Sequence, residues 1–480
     1  MTAPAPVTAP AVDGVFLVRG APGYEEARLG AVWNLRKPDR FPDAVLVAAG
    51  DRDVQAGVRW AAEHGLKVSV RSGGHSWIGN GVRDGGLLID LSALDEVEID
   101  APNRRASVRP AVQGTRFNAL LAAEGLVFPS GHCPSVGVGG FLIGGGYGWN
   151  SRALGPACFS VEAVDAVLAD GTLVHATDQT HPDLMWAVRG SGPGFFAVVT
   201  RFHLRVYPAY ERILRSAYVF PYELRDEVLA WTHETVPGVS DWLELSAKVA
   251  FTPGVERQTT MITAAAFCAP GHGPDLLAPL EKAPFLHHAL RRVERVPSTL
   301  DDLYALSDGL TPAGRRYAVD GVWTDAPADR VLEAGRPVLD GLPNRDSFLL
   351  WMLWGGQPTR ENACWSTQAR LYFSPNAVWD DPADDLAHET WAHETLRALD
   401  PLAHGTQFAD ANPADRPDHG LEPAQAARLE ELRRRYDPEG LLRAYLTPAE
   451  STTALAAHRR RAAAGGHDAE RPGETAMTVD

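Results

Sequence analysis

Residues 131–148 are so dense in glycine that they can form neither a regular helix nor a central strand, and this stretch constrains the fold more than any other. It contains Gly131-His132-Cys133-Pro134-Ser135-Val136-Gly137-Val138-Gly139-Gly140 and then Gly144-Gly145-Gly146-Tyr147-Gly148. About sixty residues earlier lies a second such loop, Arg71-Ser72-Gly73-Gly74-His75-Ser76. Each loop carries one reactive side chain, the His75 imidazole or the Cys133 thiol. Glycine lets backbone come close to a bulky, charged ligand and takes up φ > 0 without strain. Two loops of this kind imply a held cofactor, gripped at two points.

The surroundings of the first loop follow β-α-β grammar. Residues 44–49 (Ala-Val-Leu-Val-Ala-Ala) read as a strand, and 51–65 as a helix that Asp51 can cap and Gly65 ends. Val68-Ser69-Val70 is a second strand running into the loop, and 86–91 a third. Residues 115–125 read as a helix, 161–168 as a strand, and Asp170-Gly171-Thr172 as a hairpin turn into 173–175. The run 195–206 is strand-like, and the glycine-rich pattern stops at Tyr207-Pro208. Beyond it come long amphipathic stretches and apolar strands such as 347–354, together with most of the tryptophans, whose ordinary fate is core packing. Residues 421–446 read as a helix and a short apolar segment. The ends, 1–14 and 451–480, read as flexible tails.

A chain of 480 residues is too long for one core and calls for two or three domains. Its net charge of −16 argues against nucleic acid and anionic membrane as partners. No apolar run is long enough to span a bilayer, and no secretory signal is visible at the N-terminus. The four cysteines, Cys133, Cys158, Cys268 and Cys364, are scattered, which fits neither a disulfide framework nor a zinc site and makes a cytoplasmic setting the expectation.

Three tempting motifs fail on spacing. The run 144–148 lacks the preceding strand that a dinucleotide fingerprint needs. His388 and His393 stand at i and i+5 rather than i and i+4, so they do not share a helix face as zinc ligands would, and an exposed helical face is expected there. In Gly190-Ser191-Gly192-Pro193-Gly194 the serine falls one position early for a nucleophile elbow.

In combination, these loops resemble the berberine-bridge-enzyme-like group of the vanillyl-alcohol-oxidase flavoproteins. The likeness runs from about Gly23 to Val206. It includes Tyr24, Arg28, the 70–76 loop, Ile89-Asp90-Leu91-Ser92, 131–137, 144–148, 168–171 and 183–190, and it returns at Arg435-Tyr436-Asp437-Pro438. The resemblance implies an α+β fold: a PCMH-type FAD-binding domain of two α/β subdomains and an inserted substrate domain whose antiparallel sheet is flanked by helices. The boundaries it suggests are 15–207 and 420–450 for the FAD domain and 208–419 for the substrate domain. It implies FAD bonded through His75 to the 8α-methyl and through Cys133 to ring position 6. The other cofactor contacts it implies are Arg71, Ser72, Gly73, Gly74, Ser76, Asp90, Ser92, Val136, Gly137, Gly139, Gly140, Gly144, Gly148, Trp149, Val199 and Tyr445.

The chemistry implied is oxidation of a small organic molecule, a natural-product intermediate or sugar derivative. Hydride passes to flavin N5 and dioxygen reoxidises the flavin to give hydrogen peroxide. A dehydrogenase or oxidative cyclase that reacts poorly with dioxygen, and a flavin-binding protein without turnover, are the alternatives. A monomer or homodimer is expected, and no metal. The tyrosine base usual in the group has no counterpart in Gly405-Thr406-Gln407-Phe408, the usual arginine before Trp379 is replaced by Gln368, and the closing segment reads Arg443-Ala444-Tyr445-Leu446. Tyr372, Tyr445 and His404 are the substitute candidates for the base; a phenol in that role needs a lowered pKa or a basic neighbour.

Overall fold

Short, fully apolar strands of a parallel sheet are buried on both faces, and the segment before the first glycine loop has that composition. In the computed structural model, which describes residues 9–466 except 270, 272, 273, 357 and 417–419, four strands form the first sheet. They are β1 (Val15–Val18), β2 (Ala44–Val47), β3 (Val68–Arg71) and β4 (Leu87–Asp90), in the order β1-β2-β4-β3, with β2, β4 and β3 parallel. The helix Asp51–Glu63 makes the crossover. Its Asp53 carboxylate accepts the backbone N–H groups of Asp13, Gly14 and Ala49, at 2.8 Å each. Residues 9–14, expected within a flexible tail, are therefore tied to this helix; 1–8 lie outside the described residues.

The second sheet uses β5 (Val97–Asp100), β6 (Arg105–Val108), β8 (Val161–Val167), β9 (Leu173–Thr177) and β10 (Val198–Arg205) in the order β5-β6-β10-β8-β9, antiparallel throughout. A ribbon of β7 (Leu126–Val127) and β11 (Tyr207–Pro208) closes this unit. Inside the glycine stretch, where no regular helix is expected, Val138–Ile143 forms a short one. Six residues are few enough for the flanking glycines to end it on both sides. Late in the chain, residues 441–443 return beside β3: Val68 N–H donates to Leu441 O and Arg443 N–H to Val68 O, both at 2.8 Å.

The third sheet is large and antiparallel. Its strands are β12 (Arg212–Pro221), β13 (Leu243–Phe251), β14 (Gln258–Cys268), β15 (Arg291–Ser298), β16 (Arg316–Val319), β17 (Val322–Thr324), β18 (Phe348–Leu353) and β19 (Leu371–Trp379). They run β15-β12-β14-β13-β18-β19-β16, with β17 also on β19. Side chains alternate across a strand. One face (Leu245, Ala247, Val249, Leu349, Trp351, Leu353, Phe373) is buried with Val228 and Leu229 of helix Arg225–Thr235 and Trp391 and Ala392 of helix Asp385–Glu394. The other face (Glu244, Ser246, Lys248, Leu350, Met352, Tyr372) turns toward the N-terminal unit, whose Trp33, Trp77, Tyr147 and His132 meet it.

Two expectations about the late chain are corrected. His388 and His393 do not sit on an exposed face: both are buried, because helix Asp385–Glu394 is covered by the sheet on one side and by a further helix, Ala454–Gly466, on the other. The His388 ring stacks on Trp379 and the His393 Nδ1 lies 3.2 Å from Asp320 Oδ2. That further helix starts inside the stretch expected to be a flexible tail. Leu455 is buried and donates its N–H to Glu389 Oε2 at 2.7 Å, while Arg36 pairs with Oε1 of the same buried carboxylate.

Asn34 is the clamp between the two units. It donates to Trp77 O (2.7 Å) and Tyr317 O (2.9 Å) and accepts the N–H groups of Arg36 and Tyr317 (3.1 Å each), so all its polar capacity is used in a buried site. Asn34→Ala leaves several buried groups unpaired and is expected to destabilise the protein by roughly 2 kcal/mol or more. Urea unfolding measures this as a lowered midpoint with an unchanged m-value.

Candidate active site

The first glycine loop leaves β3 at Arg71, whose guanidinium donates to Asp90 Oδ1 (2.8 Å) at the end of β4 and to Gly30 O (3.2 Å). The same Asp90 oxygen accepts the Ser92 N–H at 2.8 Å, fixing the turn after β4. The second loop runs into helix Val138–Ile143. The two loops lie back to back. A Cβ on Gly73 would come within 2.7 Å of Gly137 N, one on Gly137 within 2.9 Å of Gly73 Cα, and one on Gly139 within 2.7 Å of Ser72 Oγ. Ser72 Oγ also accepts the Gly140 N–H at 3.3 Å. Gly74 adopts φ 74°, a region glycine enters freely.

This contact brings the two reactive side chains to one residue. The Ser135 backbone interacts with the His75 ring, and the Ser135 hydroxyl lies 3.8 Å from Cys133 Sγ. The His75 ring stacks on Trp33 with centroids 4.8 Å apart. Burial drives its pKa down to about 4, the Ser135 backbone opposing and Arg71 assisting. At neutral pH the imidazole is therefore uncharged, with a lone pair free for bonding. Burial likewise raises the Cys133 thiol, partly offset by Ser135.

Beyond the first loop, Trp77 Nε1 donates to Asp410 Oδ1 at 3.0 Å, and Tyr372 on β19 donates its hydroxyl to Asp410 Oδ2 at 2.8 Å. Asp410 thus joins the His75 loop to the large sheet. Its pKa is raised by burial, against the two hydrogen bonds. The Tyr372 phenol is held well above its ordinary value by burial and by the Asp410 charge. Around them Tyr147, Trp323 and Trp354 form an aromatic wall, with ring centroids 4.8 Å (Tyr147–Trp323), 5.1 Å (Tyr147–Trp354) and 4.7 Å (Trp323–Tyr372) apart. On the second loop, His132 Nε2 lies 2.7 Å from Glu244 Oε1 of β13, and Trp149 packs 4.3 Å from the His132 ring.

The other expected residues are placed as follows. Ser76 Oγ accepts the Asn80 N–H (3.1 Å) and Val136 O the Gly114 N–H (3.1 Å), both holding loop shape. Gly144 ends the short helix. Gly148 backs onto Ser130, where a Cβ would lie 2.1 Å from its carbonyl oxygen. Val199 is buried in β10. Tyr445 and His404 do not join Tyr372. The Tyr445 hydroxyl donates to Ser191 O at 2.8 Å and its ring stacks on Phe408. His404 is half exposed, 3.5 Å from Asp325. Both line a different cleft of about 820 Å³ with Arg397, Asp400 and Arg416.

Sequence reasoning missed Asp410, which lies just past the 405–408 segment where a tyrosine is usual; an isolated aspartate in a loop carries no pattern. The site suits a flat, anionic cofactor. Among the described residues His75 Nε2 and Trp149 Nε1 are buried without a hydrogen-bond partner, and beside them the loop backbone at Gly140 faces open space.

A family model described as an FAD binding domain matches residues 42–177. The chain is 31% identical over 449 residues to the FAD-linked oxidoreductase janO of Penicillium janthinellum, covering 91% of this chain and 98% of that one. Its fold matches 6-hydroxy-D-nicotine oxidase of Arthrobacter nicotinovorans with a TM-score of 0.80 at 22% identity, over 91% of this chain and 98% of the other. It also matches the BBE-like 1 protein of Physcomitrella patens with a TM-score of 0.75 at 20% identity, over 92% and 97%.

Gly137 has φ −75° and ψ 144°, which alanine adopts readily, so Gly137→Ala acts only through its Cβ against Gly73. Gly137→Ala is expected to part the loops and to lower the flavin-to-protein absorbance ratio severalfold. Gly238→Ala, outside the glycine loops and where a Cβ also meets open space, should leave the ratio unchanged.

Proposed function

Because this chain belongs to the berberine-bridge-enzyme-like FAD-linked oxidoreductases, we propose that it is an oxidase holding its FAD by two covalent bonds, through His75 and Cys133, and acting on a small organic molecule. The observation that carries the double attachment is the meeting of the His75 ring and the Cys133 thiol at Ser135, across the Gly73–Gly137 contact. Tethering at both points releases the protein from enclosing the cofactor, so the cleft between the N-terminal unit and the large sheet is left for substrate.

When bound, FAD accepts a hydride from the substrate and passes the electrons to dioxygen, giving hydrogen peroxide. The chain must remove the accompanying proton and orient the carbon that loses hydride. Tyr372 and Asp410 are suited to removing the proton. The Tyr372 hydroxyl takes the substrate's O–H or N–H proton while giving its own to the Asp410 carboxylate. Trp77 Nε1 keeps that carboxylate aimed at Tyr372. Tyr147, Trp323 and Trp354 exclude water and offer flat apolar surface, which favours an aromatic or otherwise apolar substrate, as 6-hydroxy-D-nicotine is for the oxidase of similar fold. His404 and Tyr445 have no part in this assignment.

Acid-precipitated protein should stay yellow. His75→Ala and Cys133→Ala singly should each retain flavin, and the double variant should release it; colourless wild-type precipitate would contradict the attachment. In anaerobic stopped-flow with a turned-over substrate, Asp410→Asn and Tyr372→Phe should each slow flavin reduction about 10²-fold or more. Asp410 works as a carboxylate, so the wild-type rate should fall as pH drops through its raised pKa. Asp410→Asn should abolish that limb.

A further inference from the structure

On the cleft face of the large sheet two ionisable groups are used by nothing described above, Arg215 on β12 and the more deeply buried Lys248. Lys248 is on β13, a central strand, and is 7% exposed. Its register partners are Met261 on β14 and Leu350 on β18. Its immediate neighbours along the strand, Ala247 and Val249, point to the opposite, helix-covered face, so the lysine points to the cleft. Ser246, Met261, Thr263 and Leu350 around it are only partly buried although they sit in the middle of the sheet, which marks open space above them.

Among the described residues the Lys248 ammonium makes no hydrogen bond or ion pair; it lies 5.4 Å from the centroid of the Phe348 ring. Phe348 packs with Trp77 and with Trp33, which stacks on His75. The acidic groups facing the same space are already engaged. Glu244 is taken by His132 and by the Asn150 N–H, and Asp410 by Trp77 and Tyr372. Burial alone brings the lysine down to about 7, with no carboxylate opposing it. A methionine would fill this position without the cost of desolvating an ammonium. A cation kept there unpaired is best matched by an anion that arrives with the ligand.

We infer that Lys248 is a specificity residue that binds a carboxylate of the substrate, so that the molecule oxidised is an apolar organic acid. This rests on the cleft being the substrate site, as proposed above. Tyr372 lies two strands over and one row along, about 12 Å away between Cα atoms on ideal sheet spacing. Side chains stand off the sheet, so their functional ends stay about that far apart, and one aromatic ring with a hydrogen bond at each end spans the gap with its carboxylate at Lys248 and the reacting O–H or N–H at Tyr372.

The test uses holoprotein and two probes of nearly equal shape, sodium benzoate and benzamide, titrated by their perturbation of the flavin absorption band. Wild type should bind benzoate about 30-fold more tightly than benzamide, the scale for a desolvated charge pair. Lys248→Met should weaken benzoate to the benzamide level and leave benzamide binding and flavin content unchanged. A wild type that does not favour benzoate, or a Lys248→Met protein that keeps the preference, overturns the inference. So does a variant whose flavin reduction potential shifts while the preference stays, because the lysine then serves the cofactor. The double attachment is judged separately, by flavin retention after acid precipitation.

Discussion

The site is organised by one backbone contact. Gly73 and Gly137 touch where no side chain fits, and that approach brings two loops from distant parts of the chain side by side. The Arg71–Asp90 pair fixes the first loop to the ends of two parallel strands, and the short helix after Gly137 fixes the second. His75 and Cys133 then meet at Ser135 without any direct bond between them. A Cβ on either glycine forces the loops apart, and His75 and Cys133 with them.

The large sheet completes the site by treating its two faces differently. One face is apolar and packs under helices, which makes the sheet rigid. The other mixes Glu244, Ser246, Lys248 and Tyr372 with Leu350 and Met352 and is covered by aromatic residues of the N-terminal unit. Polar groups there are either paired, as Glu244 is with His132 and Tyr372 with Asp410, or available to a ligand. Asn34 holds the units in the register this division of labour requires.

Features carried by local pattern were legible in the sequence. The glycine loops, the strand–helix–strand run before them, the hairpin at 170–172 and the apolar strand near 350 all depend on neighbours within a few residues, and each stands where its pattern puts it. Features that depend on distant partners were not. Residues 388–393 read as a solvated helix face because nothing nearby announces that helix Ala454–Gly466 covers it. Nothing local to Glu244 and Lys248 marks them for burial either, and it takes the docking of the N-terminal unit against their face of the sheet to bury them. Asp410 sits in a loop without periodicity, and its importance lies in Trp77 and Tyr372, which are 333 and 38 residues away. Of the three candidate bases, Tyr372 is the one on the cleft face of the large sheet, with its hydroxyl donating to the Asp410 carboxylate.

The double attachment proposed above places a single flavin between the two glycine loops. Tryptic digestion of the denatured holoprotein tests it most directly, because cleavage after Arg71 and Arg83 isolates His75 in peptide 72–83, and cleavage after Arg116 and Arg152 isolates Cys133 in peptide 117–152. Mass spectrometry should find the two peptides joined through one flavin, at the sum of their masses and the cofactor's. Recovery of both as separate species, with flavin on one or on neither, would contradict the account.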